Sequence, residues 1–256
     1  MPELPDASAS DDEIAAALAD GAGQMLVDLR AGLTLQGADQ RTIKDAGDRE
    51  AHLWLVAALA ALRPDDGVLS EEGRDDRARL AKERVWIVDP LDGTREYGEG
   101  RSDWAVHVAL SIDGHPTIGA VAQPGIGRVF STGEPDTVPP RDESAPIRMV
   151  VSRSRAPMIT MLVAQNLQAT YLEMGSAGAK AMAVVRGEAD FYLHAGGQYE
   201  WDNCAPAAVA LAAGLHASRV DGSPLRYNNA DPWLPDLLVC RRELAEPILT
   251  IVHSYL

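Results

Sequence analysis

Cysteine is nearly absent from this 256-residue chain, which holds only Cys204 and Cys240. Two thiols so placed exclude a disulfide framework and a cysteine-built zinc site, and both are expected to pack as small buried hydrophobes. No apolar run approaches the length of a membrane span. The first dozen residues, Met1 to Asp12, lack the basic and apolar segments of a signal peptide. A soluble, cytoplasmic protein with no membrane partner is the resulting expectation. Positive charge is short as well, with 23 Lys and Arg against 38 Asp and Glu, for a net charge of −15. Binding a nucleic-acid polymer takes clusters of basic residues along the phosphate backbone, so that partner class is excluded. A small phosphorylated ligand is not excluded, provided metal cations bridge two negative partners.

What remains is a chain with 46 % hydrophobic residues and regularly spaced Gly and Pro, long enough to bury a large core. Residues 1–9 read as disordered. Ser10 with Glu13 forms a capping-box pattern, and Ile14, Leu18, Met25 and Leu29 follow at helical spacing up to Gly32. A second helix is expected over Asp48 to Arg63, stopping at Pro64. Gly67 to Ser70 reads as a short strand and Asp75 to Arg84 as a polar helix. Trp104 to Ile112 and Pro116 to Ala122 flank Asp113-Gly114, a hairpin signal, and Arg128 to Ser131 adds a strand. The Pro- and Asp-rich stretch from Gly133 to Pro146 reads as a linker. Beyond it, strands at 147–151, 169–173, 190–194 and 237–240 alternate with helices at 157–168, 177–186, 203–213 and 243–253. Residues 10–135 are thus expected to form an N-terminal α+β subdomain and residues 145–256 a C-terminal α/β subdomain, layered against each other.

The densest chemical signal is Trp86-Ile87-Val88-Asp89-Pro90-Leu91-Asp92-Gly93-Thr94. Trp86 to Val88 reads as a buried strand that Pro90 and Gly93 stop from continuing. Asp89 and Asp92 then stand at its end, on a turn able to aim both at one point. Carboxylates this close repel unless a cation sits between them, and oxygen donors on a rigid turn suit a hard ion such as Mg²⁺. Glu71, at the end of the preceding strand, and Asp202, before an Ala-rich helix, complete an acidic constellation. Taken alone, Asp202 is equally a helix N-cap, and Ser70-Glu71-Glu72 equally a solvated surface turn.

The run Trp86 to Thr94, together with Glu200-Trp201-Asp202 and the Ala-rich segment after it, resembles the two signatures of the inositol monophosphatase superfamily. That resemblance covers the chain from about Asp11 to its end. It implies a layered αβαβα sandwich of the inositol monophosphatase and sugar phosphatase type, and a Mg²⁺-dependent, lithium-sensitive phosphatase, monomeric or dimeric. Arg95-Glu96-Tyr97, Ser70-Glu71-Glu72, Ser152-Arg153-Ser154 and Gly175-Ser176 with Lys180 are similar to the 3'(2'),5'-bisphosphate nucleotidase branch. That branch removes the 3'-phosphate of adenosine 3',5'-bisphosphate, and of its sulfated form, in sulfur assimilation. Inositol 1-phosphate and fructose 1,6-bisphosphate are the alternative substrates on the same scaffold. A non-catalytic phosphate-binding protein is the alternative of another class.

Carried over by residue, the resemblance implies that Glu71, Asp89 and the Leu91 carbonyl hold one Mg²⁺, and Asp89, Asp92 and Asp202 a second. A third, weaker ion would touch Glu71 and be reached through water from Asp48. The N–H groups of Gly93 and Thr94 would cradle the phosphate, while Thr94 and Glu71 orient the attacking water. Cation coordination lowers the pKa of water toward neutrality and neutralises phosphoryl charge, so no covalent nucleophile is needed. Ser152, Arg153, Ser176, Lys180 and His194 are the candidate substrate contacts, in a nucleotide bisphosphate site. The loop His194 to Tyr199 would face the substrate. Arg155 and His194 depart from the branch, which often has His and Arg respectively there, and the Lys44–Asp48 region departs too. The histidines other than His194, His107 among them, read as structural or exposed.

Overall fold

Ser10 opens the first helix as its pattern requires. Its hydroxyl accepts from the Glu13 N–H, and the Glu13 carboxylate accepts from the Ser10 N–H at 2.8 Å. The structure, a computed structural model, describes residues 2–153 and 157–255; Ser154 and Arg155 lie outside the described residues. This helix, α1, spans Asp11–Leu35, so Gly32 lies inside it rather than ending it. The second helix also starts earlier than its apolar periodicity suggests. It is α2, Gln40–Leu62, begun by Asp39, whose carboxylate accepts from the Thr42 N–H at 2.7 Å. Asp48 therefore sits in the interior of a helix. The segment before α1 meets the end of α2 through one side chain. Arg63 donates to the Ala7 and Ala9 carbonyls at 3.1 and 2.7 Å and pairs with Asp11 at 2.7 Å, while Ala9 packs on the core.

The first sheet contains β1 (Gly67–Ser70), β2 (Arg84–Asp92), β3 (Ala105–Ile112), β4 (His115–Gln123) and β5 (Arg128–Ser131), in that order. Only the β1–β2 pairing is parallel. A 3-10 turn, Arg77–Ala81, stands where the sequence suggested a longer polar helix. Its early stop follows from Arg84, which is already drawn into β2. Between β3 and β4, Asp113 (φ +51°) and Gly114 (φ +75°) form the anticipated hairpin turn.

The second sheet has the order β7-β6-β8-β10-β9. Its strands are β6 (Arg148–Ser152), β7 (Thr170–Met174), β8 (Phe191–Tyr199), β9 (His216–Ser218) and β10 (Trp233–Cys240). The helices interleaved with them are α4 (Met158–Asn166), α5 (Ala177–Val185), α6 (Glu200–Ala212) and α7 (Arg242–His253), while α3 (Thr94–Gly98) follows β2. The run His194 to Tyr199, expected as a loop, is instead the second half of β8. It pairs with β10 from Tyr199 opposite Trp233 to His194 opposite Leu237, with a register shift between Leu234 and Asp236.

Side-chain parity stacks these elements into five αβαβα layers. Trp86 and Val88 join Ile14, Leu18, Leu55 and Leu59 beneath α1 and α2. Val85 and Ile87 point the other way, to Ala181, Ala205 and Val209 of α5 and α6. Leu237 and Val239 close that central layer from the second sheet, whereas Leu238 and Cys240 face Val163, Ile248 and Val252 of α4 and α7. Strand β2 is thus buried on both faces, which is why its sequence runs apolar without alternation. Both cysteines are fully buried.

The sheet and α6 meet with no room to spare at Gly119. A Cβ there would lie 2.8 Å from the Ala205 carbonyl oxygen and 2.9 Å from Ala208 Cβ. Backbone cannot swing aside as a long side chain does, so Gly119→Ala is expected to cost about 1–3 kcal/mol, read as a lowered Tm. An unchanged Tm would show that the layers can part at no cost.

Candidate active site

The edge that carries the chemistry is made by β2 running on past the end of β1. Asp89 stands opposite His107 and Asp92 opposite Ala105, with a register break between them that accommodates Pro90. Gly93 follows in the left-handed region, φ +88°, and starts α3. A Cβ on Gly93 would come within 3.1 Å of Ser176 Cβ, so glycine is required for both conformation and space. On the other side, β1 delivers Glu71 beside Asp89, and the Glu71 N–H continues the ladder by donating to the Val88 carbonyl at 3.3 Å.

Asp89, Asp92 and Asp202 each place a carboxylate oxygen within 4.8 Å of the others. Burial, and then the charges of Glu71, Asp92 and Asp202, hold Asp89 well above the usual carboxylate range. Burial together with Asp92 raises Asp202 to about 6. Glu71 is exposed as a whole residue. Its carboxylate nevertheless lies within hydrogen-bonding reach of Asp89, and partial burial with the charges of Asp202, Asp92 and Glu72 lifts it to about 7. Such clustered, oxygen-only donors fit a hard divalent cation.

Asp92 differs from its partners. Burial alone would raise it, but His107, Ser176 and Lys180 outweigh burial and bring it down to about 2. Its Oδ2 accepts from Ser176 Oγ at 2.5 Å and from the Gly178 N–H at 2.7 Å, and its Oδ1 from the Ala177 N–H at 3.1 Å. The carboxylate therefore occupies the N-terminus of α5, where the unpaired N–H groups favour negative charge. Ser176 is committed there, since its oxygen also accepts from the Ala179 N–H at 2.9 Å.

Asp202 is not the N-cap of α6. It is the third residue of the helix, and its Oδ2 accepts from the Tyr199 N–H at 2.6 Å. The helix starts three residues earlier than its apolar pattern suggested because β8 leads straight into it.

His107, read from sequence as structural or exposed, belongs to the site. It is fully buried, with Nε2 3.1 Å from Asp92 Oδ2 and Nδ1 3.0 Å from the Trp201 carbonyl. A carbonyl only accepts, so Nδ1 carries a proton. Nε2 faces the Asp92 carboxylate without a hydrogen-bonding angle, so the two groups interact through charge. Burial would lower this histidine, but Asp92 outweighs burial and raises it. The only sequence signal was a lone polar residue in the apolar run from Ala105 to Leu110.

Thr94 Oγ1 lies 3.2 Å from Asp48 Oδ1 and 3.1 Å from the Leu91 carbonyl, so α2 reaches the turn through Asp48. Burial and the charge of Glu72 raise Asp48 to about 6. Lys180 is buried, donates to the Gly175 carbonyl, and stands 5.3 Å from the Tyr192 ring centre. Burial lowers its pKa against the pull of Asp92 and Glu96. The remaining candidate contacts are farther from the carboxylates in bonding terms. Arg153 pairs with Glu96 at 2.9 Å and Glu99 at 3.0 Å, and His194 Nε2 meets the Gly197 carbonyl at 2.9 Å. Ser152 ends β6, half-buried.

This fold and this acidic turn define a class: the chain belongs to the inositol monophosphatase family, whose pattern matches residues 9–256. Among its relatives, the 3'-phosphoadenosine 5'-phosphate phosphatase of Mycobacterium bovis is 53 % identical over 237 residues, covering 89 % of this chain and 87 % of that protein. The 3'(2'),5'-bisphosphate nucleotidase CysQ of Escherichia coli K12 is 32 % identical over 200 residues, covering 74 % of this chain and 81 % of the other. The crystal structure of CysQ from Bacteroides thetaiotaomicron, a bacterial member of the family, superposes with a TM-score of 0.75 at 27 % identity. That match covers 93 % of this chain and 99 % of the other. No helix among the described residues is long and apolar enough to cross a membrane.

Proposed function

We propose that this chain is a bisphosphate nucleotidase that removes the 3'-phosphate of 3'-phosphoadenosine 5'-phosphate, with the 5'-phosphosulfate form as a second substrate. The observation that carries the reaction is the Asp89, Asp92 and Asp202 cluster, three carboxylates within 4.8 Å. The 53 % identity to a protein named for that substrate carries the choice of ligand. Glu71, Asp89 and the Leu91 carbonyl would hold one Mg²⁺, and Asp89, Asp92 and Asp202 another, with a third, weaker ion near Glu71 and Asp48. When bound, such ions lower the pKa of water and offset phosphoryl charge.

The chain's own residues supply the orientation. A Thr94 hydroxyl that donates to Asp48 or to the Leu91 carbonyl turns its lone pairs outward, able to accept from a water and aim it. Glu71 would join Thr94 in orienting and activating that water. Gly93 and Thr94 offer N–H groups to the phosphate. Ser176 and His107 act by fixing Asp92. Arg153 would exchange its pairing with Glu96 and Glu99 for a substrate phosphate, with Ser152, Lys180 and His194 lining the remainder.

Ranking the nucleotide bisphosphate, inositol 1-phosphate and fructose 1,6-bisphosphate by kcat/KM tests the substrate. The nucleotide is expected to lead by about 100-fold or more, the discrimination available when buried polar groups match only one ligand. Inositol phosphate in first place would overturn the assignment.

A further inference from the structure

Glu200 and Arg79 are buried charged side chains, 0 % and 2 % exposed, that take no part in the carboxylate cluster. Glu200 is the first residue of α6, two positions before Asp202, and its side chain turns toward the loop that precedes β10. Its Oε2 accepts from the Asn228 N–H at 2.7 Å. Its Oε1 accepts from the Asn229 N–H and the Asn229 side-chain amide, both at 2.7 Å. Arg79 reaches the same loop from the 3-10 turn that follows Glu71. It donates to Asn228 Oδ1 at 2.7 Å and to the Asn229 carbonyl at 2.9 Å, while Asp75 holds its guanidinium at 2.7 and 3.1 Å. Asn228 returns a bond to the Arg79 carbonyl at 3.1 Å and sits at φ +60°, a conformation that costs a non-glycine residue energy and persists only when held.

Both ends of this chain of bonds need a tether. Glu71 lies beyond the end of β1, on an exposed turn. Asp202 lies in a helical turn weakened by Pro206, which has no N–H to donate to the Asp202 carbonyl four residues back.

We propose that Asp75, Arg79, Asn228, Asn229 and Glu200 form a clasp that sets the separation of Glu71 and Asp202, making Arg79 and Glu200 positioning residues for cation binding. The clasp ties the Glu71 turn in the first half of the chain to the start of α6 in the second. It rests on the reading of Glu71 and Asp202 as ligands of the bound ions. It acts through them and touches neither substrate nor ion.

Titrating Mg²⁺ into the full-length protein, with binding followed by calorimetry and by the rise in Tm, tests this inference. In Glu200→Gln one amide N–H is forced against a backbone or side-chain donor, and in Arg79→Lys the paired contacts to Asp75 and the loop are lost. Each is expected to weaken Mg²⁺ binding about 10-fold or more, as loss of groups that orient metal ligands does. The double variant is expected to fall little further, because both changes break one chain of bonds. Asn228→Gly keeps the left-handed conformation and the N–H to Glu200 but loses the side-chain bonds of Asn228 to Arg79, leaving Arg79 its bond to the Asn229 carbonyl. It folds where the buried substitutions fail, and is expected to weaken binding by a smaller factor. A purely structural role would lower the metal-free Tm and leave Mg²⁺ affinity within about twofold of wild type in every folded variant, including Asn228→Gly, which would overturn the clasp. A wild-type protein whose Tm shows no Mg²⁺ response removable by Asp89→Asn would instead overturn the metal-site reading.

Discussion

Asp89→Asn is expected to abolish phosphate release and, at the same time, to stabilise the protein when metal is removed. The two effects have one cause. Asp89 is 1 % exposed and shares its space with Glu71, Asp92 and Asp202. In the absence of a cation its charge is a burden on the fold, whereas with a cation it is the ligand common to both proposed ions. Asparagine keeps the size and the oxygen that accepts from the Leu91 N–H at 3.0 Å, and its amide can donate to Glu71. The loss of rate should be about 10³-fold or more, since removal of a shared ligand disables both ion sites together. Phosphate release from the nucleotide bisphosphate, with calorimetry in chelator, measures both. Retention of a sizeable fraction of the wild-type rate would refute the metal role, and a lower metal-free Tm would refute the electrostatic account.

Local grammar made much of this arrangement legible. The capping box at Ser10 and Glu13, the Asp113-Gly114 turn and the unbroken apolar run of β2 each state a backbone condition that short-range physics decides. The carboxylates were legible because Pro90 breaks the register of a buried strand and Gly93 ends it, leaving two acidic groups close together at its tip. Features set by distant pairing were not legible. His107 becomes part of the site because the register of β3 puts it opposite Asp89. The glycines of β8 read as a loop until Trp233 to Leu237 arrives to pair with them. Tyr97, in the motif that resembles the nucleotidase branch, is buried and donates to the Leu26 carbonyl at 2.7 Å. In that motif it is Glu96, through Arg153, that connects to candidate substrate contacts. The clasp was invisible for the same reason, since Arg79 and Glu200 meet only through a loop remote from both in sequence.

The metal-free protein is expected to lose stability as pH rises, and Mg²⁺ to restore it most at the alkaline end. Asp48 and Asp202 are held near 6 and Glu71 near 7, above their ordinary values of 3.8, 3.8 and 4.5. Above about pH 4 the unfolded chain releases these protons while the folded chain keeps them, so unfolding becomes easier until the folded groups have ionised near neutrality. His107 acts in the same sense, because its raised value stabilises the fold below its ordinary pKa of 6.5 and that contribution fades as pH climbs through the folded value. Asp92 opposes them only in acid. Held at about 2, it contributes stability at any pH above its ordinary 3.8 and loses it as pH falls toward 2. Cations compete with protons for the same oxygens, so a saturating Mg²⁺ concentration should raise Tm by about 10 °C near pH 8 and by much less near pH 5. Self-repulsion from the net charge of −15 also grows with pH, and Asp89→Asn separates the two contributions. The variant keeps nearly all of that charge but relieves the cluster, so its metal-free Tm should fall less steeply between those pH values. Parallel profiles for variant and wild type would place the pH dependence in the overall charge and not in the site.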